Sequence, residues 1–564
     1  MYRLKLTASA LTLALLLAAA PAVAQSQSDH NIETARQLDI FNSVYRDLDL
    51  YYVDTLNPKK NIENALLYML DQLDPYTEYY GSDRSEELKQ LTTGKYAGIG
   101  AIISTRLDLG RCIISNPYPG MPAAEAGVRR GDIILAIDGK DVGTIASNAD
   151  ADAAGDYSAS VSQKLRGEPG STFSLRVRRP GTEKELTFSI TRATVTLPSI
   201  TTTTLLNDTV GYILLNRYTE NTARDVRLAL IDLKQRGARR LVLDLRGNPG
   251  GLMGEAIELV NLFIPRGKEV VSTRGKVREN THSFKTSSDA LDLTIPIAVL
   301  VNYSTASSAE ITSGALQDYD RAIVVGQRTY GKGLVQETRD APSGGVFKLT
   351  TSKYYIPSGR CIQAYKFEDG EPVHLPDSLC HEFHTAAGRT VLDGGGITPD
   401  LLVEPDSLPD LLYYLQLSNV LFDYTVLYRN SHASIASPEE FHITDEDYAD
   451  FRRYLKEKNF TYDRRSLRFL EELKKIARRE GYAESAAAEF AALEAKLSRN
   501  DDFDFTHWEK EIRALVEHNI VQAYYYDEGA ARYDLRLDKT LDAALPVLCS
   551  DDAYRRLLSV PTEK

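Results

Sequence analysis

The hydrophobic positions along the chain pass through successive regimes. Between residues 29 and 93, Ile40, Val44 and Leu48, then Ile62, Ala65, Leu66, Met69 and Leu70, recur at helical spacing, and Leu73-Asp74-Pro75 stops the second run. From Gly94 to about Ser199 the pattern shortens to period two, broken by Gly and Pro turns, which predicts a strand-rich domain. Within it, Ala146 to Ser160 is poor in bulky apolar residues and reads as a flexible surface insertion. From about Thr209, apolar strands (Val210–Leu215, Leu241–Leu245, Pro296–Val301, Ala322–Val325) alternate with helices (Thr222–Arg236, Gly254–Phe263, Ser308–Tyr319). That alternation predicts α/β architecture around a largely buried sheet. Beyond Pro405 the chain turns helical and charged, with amphipathic runs at Leu467, Leu470, Leu473 and Ile476 and at Phe490, Leu493 and Leu497. No catalytic signature follows Asp400; packing, oligomerisation and a platform for partners are the uses open to this region.

The first 24 residues obey a different rule. Arg3 and Lys5 precede an apolar run from Leu11 to Ala20, and Ala22-Val23-Ala24 has the small-x-small form of a cleavage site. This predicts a signal peptide and an exported chain, periplasmic or secreted, with an uncleaved anchor as the alternative. Charge points away from nucleic acid: 66 Lys and Arg stand against 79 Asp and Glu, a net −13 with no basic run. With 43% hydrophobic and 26% charged residues, the composition excludes collagen-like, disordered and disulfide-scaffold chains.

Of the four cysteines, Cys361 and Cys380 would close a loop of about 20 residues, worth ~3 kcal/mol if bridged. Four buried thiols, including Cys112 and Cys549, are the equal alternative. Cys380-His381-Glu382-Phe383-His384 lacks the spacing that sets two imidazoles on one helical face, so it reads as a polar loop rather than a metal site.

Familiar catalytic signals are missing. There is no Gly-x-Ser-x-Gly, no dinucleotide fingerprint and no phosphate loop, and the nine His are scattered. Two segments at strand ends remain. In Asp244-Leu245-Arg246-Gly247-Asn248-Pro249-Gly250-Gly251 the glycines leave backbone N–H groups open to an anion, or simply make a tight turn. In Ser304-Thr305-Ala306-Ser307-Ser308-Ala309-Glu310 a serine sits at a helix start, where Ser307-x-x-Glu310 is equally a capping box. Gly331-Lys332-Gly333, with Gln336 beyond it, shifts the balance. With no His at hand, a desolvated lysine can activate a serine, provided its pKa near 10.4 falls by roughly three. Gln336 is placed to direct the amine.

This ensemble resembles the carboxyl-terminal processing peptidases, the tail-specific serine proteases of peptidase family S41. Leu73-Asp74-Pro75-Tyr76-Thr77 is similar to that family's Leu-Asp-Pro-His-Ser, with Tyr for His. Tyr354-Tyr355-Ile356-Pro357-Ser358-Gly359-Arg360 and Asp393-Gly394-Gly395-Gly396-Ile397-x-Pro399-Asp400 are similar to further signatures, so the likeness runs in order over roughly residues 40 to 405. The resemblance implies Ser307 as nucleophile, Lys332 as general base, Gln336 as its orienting partner, and an oxyanion hole from the N–H groups of Ser308 and of Gly250 or Gly251. The doubled serine departs from the family run and leaves Ser308 a rival nucleophile. A crotonase-like core is implied, preceded by a PDZ domain. Pro122 to Gly139 carries that domain's most recognisable run, and Gly98, Ile99 and Gly100 would bind a substrate's C-terminal carboxylate, the peptide adding as a strand.

The expected partition is a signal peptide (1–24), a helical segment (25–93), the PDZ domain (94–195), the catalytic core (196–405) and a helical C-terminal domain (406–564). The expected function is a serine endopeptidase that needs no metal or organic cofactor and cleaves near the free C-termini of proteins or peptides. An activator or adaptor protein and a homo-oligomer through the C-terminal helices are further expectations. A catalytically silent PDZ scaffold and a hydrolase of non-peptide esters are the rival readings.

Overall fold

The computed structural model describes residues 29–560 apart from 83–87, 89, 91–92, 183–184, 406–407 and 499–500. The predicted signal peptide therefore lies outside the described residues. Helices cover 29–51 and Pro58–Asp71; the second opens with Asn57 accepting from the Lys60 N–H (3.1 Å) and Pro58 at its first position. The strand Glu78–Tyr80 then pairs antiparallel with Val346–Tyr355 and fastens this arm to the α/β domain.

In the strand-rich region, Ala101–Arg106, Arg111–Pro117, Ile133–Ile137, Thr172–Arg178 and Glu185–Thr191 form an antiparallel sheet in that spatial order. One expectation fails here. Residues Ala151–Leu165 are an α-helix, not a flexible insertion. Asp150 caps it by accepting from the Ala153 N–H (2.8 Å), and Val161 and Leu165 are buried against Ile99, Ile114 and Phe173. Small Ala, Ser and Gly residues dilute the apolar period to a few contacts, and these suffice because the helix lies on a preformed sheet.

The core sheet runs Ile200–Leu206, Val210–Leu215, Arg240–Asp244, Ile297–Val301, Ile323–Gly326, Leu401–Leu402, all parallel after the first antiparallel pair. Its strands read as unbroken apolar runs because both faces are covered. Ile213, Leu215, Leu243, Val299 and Val301 meet the helices Thr222–Gln235, Met253–Asn261 and Ser308–Asp318. The alternate residues Val210, Tyr212, Val242, Ala298, Leu300 and Val325 pack against Leu541, Ala544, Leu548 and Tyr554. The helices Lys539–Cys549 and Asp551–Leu557 of the C-terminal domain thus close the second face, which the charged pattern after Pro405 did not announce. A second sheet, built on Val346–Tyr355 with Glu269–Gly275 and Leu334–Asp340 as neighbours, stands beside it.

The rest of the C-terminal domain is a helical cluster around Leu411, Leu415, Phe451, Ile512, Val516 and Ile520. The strand-rich domain docks on it. Arg106, 5% exposed, gives two hydrogen bonds to Asp423 (2.8 and 3.0 Å), Asn116 donates to Asp527 (3.2 Å), and Arg130 lies 4.6 Å over the Phe422 ring. All four cysteines are free thiols, with no bridge between Cys361 and Cys380; only Cys112 is buried, Cys361 and Cys380 are partly exposed and Cys549 is exposed, so the expectation of four buried thiols also fails.

Candidate active site

Parallel strands deliver their functional groups at their C-terminal ends. Arg240–Asp244 and its neighbour Ile297–Val301 end side by side, and the turns that follow them are stitched together. Asn302 Oδ1 accepts from the Gly247 N–H (3.0 Å), the Thr305 hydroxyl donates to the Leu245 carbonyl (2.8 Å), and the Ala306 N–H donates to the Asn248 carbonyl (2.9 Å). Asn248, fully buried, also donates to the Leu215 carbonyl (2.7 Å). The stitching sets the glycine turn under Ser307. A Cβ on Gly250, at φ +94°, would sit 2.7 Å from Ser307 Cβ and 2.9 Å from the Ser308 nitrogen, so only glycine fits.

Ser307 itself has φ 56° and ψ −120°, a conformation that costs an L-residue of order 1–3 kcal/mol. It immediately precedes the helix Ser308–Asp318. What holds it there is Glu310, fully buried on the first turn of that helix. One carboxylate oxygen, Oε2, accepts from the Ser307 N–H (2.8 Å) and from the Lys332 N–H (2.9 Å). The other, Oε1, accepts from the Gly331 N–H (2.7 Å) and the Thr329 hydroxyl (2.5 Å). The capping-box residue predicted for the helix therefore does more than cap: it joins the serine loop to the lysine loop. Burial pushes Glu310 up to about 7, against the opposing effect of these donors.

The Lys332 amine lies 4.0 Å from the centroid of the Tyr76 ring, so the arm preceding Glu78–Tyr80 reaches the site. Tyr76 is held by Asp74, which accepts from the N–H groups of Tyr76 and Thr77 (both 2.8 Å), and by Phe367 edge-on. Burial, aided by the charge of Lys348, brings Lys332 down to about 8, while Asp74, Glu78 and Glu310 pull the other way. Gln336 lies on Leu334–Asp340 and donates to the Thr350 hydroxyl (3.1 Å), which in turn donates to Asp74 (3.2 Å). Among the described hydrogen bonds Gln336 makes none with Lys332; the group against the amine is Tyr76. Sequence spacing could not show this, because Tyr76 and Lys332 meet only through the pairing of Glu78–Tyr80 with Val346–Tyr355.

The two serines separate cleanly. Ser308, 1% exposed, donates its hydroxyl to the Gly251 carbonyl (2.8 Å), whereas Ser307 is half-buried. Of the candidate oxyanion donors, the Gly250 N–H is taken by Asn248 Oδ1 (2.9 Å). The Gly250 carbonyl accepts from Tyr218 (2.9 Å), which turns the following N–H, that of Gly251, to the opposite side of the peptide plane. The Ser308 N–H opens a helix and has no acceptor one turn back. Among the described hydrogen bonds, the N–H groups of Gly251 and Ser308 have no acceptor.

In the strand-rich domain, the strand Ala101–Arg106 has one open edge, and the helix Ala151–Leu165 runs beside it. A groove of about 440 Å³ between them is lined by Gly98, Ile99, Tyr118, Ser158, Ser162 and Arg166, among others. The Ile99 carbonyl accepts from the Ala123 N–H (2.9 Å) and the Gly100 carbonyl from the Tyr118 N–H (2.8 Å). Because trans peptides oppose their two groups, the N–H groups of Gly100 and Ala101 point the other way. Gly100 has φ +70°, and a Cβ there would come within 2.3 Å of Met121 Cβ.

Three family models match: "Peptidase family S41" over residues 209–372, "PDZ domain" over 113–179 and "Probable PDZ-protease, C-terminal helical domain" over 411–548. The chain is 32% identical over 387 residues to the "Carboxy-terminal-processing protease" of Bartonella bacilliformis, covering 68% of this chain and 79% of that one. It is 32% identical over 335 residues to the "Probable CtpA-like serine protease" of Staphylococcus haemolyticus, covering 59% and 64%. Among solved structures, the "Photosystem II D1 C-terminal processing protease" aligns with 26% identity and a TM-score of 0.35 over 64% of this chain and 87% of that one.

Proposed function

The chain belongs to peptidase family S41, with the carboxy-terminal-processing proteases, and is a serine protease with a PDZ domain; on that footing we propose that it hydrolyses peptide bonds through a Ser307–Lys332 dyad after capturing the free C-terminus of its substrate. The observation that carries the dyad is the shared Glu310 oxygen, which holds the backbone of the serine and the backbone of the lysine to one atom.

In the proposed reaction, neutral Lys332 accepts the Ser307 hydroxyl proton as Oγ attacks the scissile carbonyl. The developing oxyanion is met by the N–H groups of Gly251 and Ser308, fixed before substrate arrives. Lys332 returns the proton to the leaving amine; neutral again, it takes a proton from the water that attacks the acyl carbonyl and gives it to Ser307 Oγ as the ester bond breaks. Placing the lysine near 8 leaves it able to act in both directions close to neutral pH.

The PDZ groove supplies recognition. The N–H groups of Gly100 and Ala101 receive the terminal carboxylate, and the open edge of Ala101–Arg106 adds the peptide as a strand. Export, read from residues 1–24, would put the enzyme in the periplasm or, as the alternative, in the medium. Phe469, Leu473 and Ile476, exposed on the helix Arg465–Glu480, are the C-terminal residues best placed to carry self-association or an adaptor.

The test compares the mature protein with Ser307→Ala and Lys332→Ala on an unfolded protein bearing a free or an amidated apolar C-terminus, with products read by mass. Cleavage by wild type alone, weakened by amidation, supports the proposal. Equal cleavage by either variant refutes the dyad.

A further inference from the structure

The Asp244–Gly251 turn carries an ion cluster that the hydrolytic steps do not use. Asp244, 1% exposed, ends its strand and accepts from the Tyr212 hydroxyl (2.7 Å), from the Arg246 N–H (3.0 Å) and from Arg246 Nε (3.0 Å to each oxygen). Arg246 Nη2 also donates to Asp244 Oδ2, and both terminal nitrogens reach beyond the core. Nη1 donates to Asp538 Oδ1 at 2.9 Å and Nη2 to Asp538 Oδ2, a two-pronged pair with a residue of the C-terminal helical domain.

Asp538 is not a free surface carboxylate. Its side chain is 9% exposed and it caps the helix Lys539–Cys549, accepting from the Leu541 N–H (3.0 Å). That helix is seated on the core sheet through Leu541, Ala544 and Leu548, which pack with Tyr212 and Val242. Asp538 is thus anchored independently of Arg246. Among the described hydrogen bonds, Arg246 is its one link to the turn whose glycines lie under Ser307.

We infer that Asp538 is a positioning residue for peptide hydrolysis: by fixing Arg246 it holds the Asp244–Gly251 turn, and with it the Gly251 N–H, in register with Ser307. The inference rests on the reading of Gly251 and Ser308 as oxyanion donors. It makes the helical C-terminal domain part of the hydrolytic unit rather than an appended platform. The physical basis is the geometry of the turn. Three of its residues are glycine, so its shape is held by contacts from outside, from Asn302, Thr305 and the Ala306 N–H on one side and from the arginine fork to Asp538 on the other.

Asp538→Asn is the informative variant. Asn caps a helix about as well as Asp, so the helix start is kept while one charged prong is lost. The full chain, wild type, Asp538→Asn and Asp538→Ala, would be examined by hydrogen exchange and by peptide hydrolysis. Expected for Asp538→Asn is exchange at residues 246–251 faster by about tenfold, with the PDZ strand Ala101–Arg106 and the helix Lys539–Cys549 unchanged. Catalysis should show kcat down by about tenfold with KM within about twofold, the signature of a misplaced transition-state donor. Asp538→Ala should add faster exchange in the first turn of Lys539–Cys549. Unchanged exchange at 246–251 in both variants overturns the inference, as does a kcat equal to wild type when that exchange is raised. Failure of the dyad reading would look different: Ser307→Ala would hydrolyse as fast as wild type, and the exchange result would still decide the role of Asp538.

Discussion

Tyr76→Ala is the perturbation that most sharply probes how the lysine proposed as the base is kept neutral. Lys332 stands at about 8 instead of 10.5, chiefly through burial. At a pH of about 7.5 that raises its neutral fraction from about a thousandth to about a quarter, a gain of roughly 3 kcal/mol in the availability of the base. The ring of Tyr76, 4.0 Å from the amine, has two opposite effects. It keeps water away, which disfavours the ammonium, and its π-face attracts the ammonium by about 0.5–1 kcal/mol. If exclusion of water dominates, removing the ring raises the lysine by about one pH unit, and kcat/KM at neutral pH falls about tenfold. The assay is kcat/KM against pH on a short peptide, where the acid limb reports the free enzyme. The limb should sit near 8 for wild type, near 9 for Tyr76→Ala, and within a few tenths of wild type for Tyr76→Phe, so that the alanine variant recovers in alkaline buffer. A limb that moves down in Tyr76→Ala would show that cation–π attraction outweighs desolvation and would refute the reasoning.

Further outcomes follow from the same geometry. A lysine depressed in the folded state makes folding less favourable below its folded value, and the penalty is relieved as pH rises from about 8 to 10.5; Lys332→Met should therefore abolish hydrolysis yet raise stability at neutral pH by up to ~3 kcal/mol, read by denaturant unfolding. Ser307→Gly should likewise be inactive but more stable by about 1 kcal/mol, because glycine accepts φ 56° without strain. Glu310→Gln turns an amide donor toward donors already aimed at the carboxylate; unfolding should show a loss of about 3 kcal/mol and kcat should fall at least tenfold. Ser158→Trp fills the PDZ groove and should raise KM for a protein with a free C-terminus about tenfold, leaving hydrolysis of a short internal peptide unchanged.

The sequence carried the core well for a physical reason. A parallel sheet buried on both faces writes itself as apolar runs, and Val210–Leu215, Arg240–Asp244, Ile297–Val301 and Ile323–Gly326 stand where those runs fall. What local pattern could not carry was any contact made by distant segments. The helix Ala151–Leu165 was hidden because its burial depends on a sheet assembled from residues before and after it. Tyr76 was legible only as a departure from Leu-Asp-Pro-His-Ser, and its place beside the amine emerges from strand pairing nearly 270 residues away. Glu310 was visible as a cap, but its second partner, Lys332, was not. The role of Asp538 required both domains at once.

The most direct measurement is the identity of the side chain that becomes acylated. The full-length mature protein would be treated with an electrophilic peptide bearing a free C-terminus, digested, and the adduct mapped by mass. A single adduct on Ser307, absent in Ser307→Ala, slowed in Lys332→Ala and fastest above about pH 8, is the result expected of a dyad with the lysine at that value. An adduct on Ser308 or on another residue, with Ser307 unmodified, would contradict it.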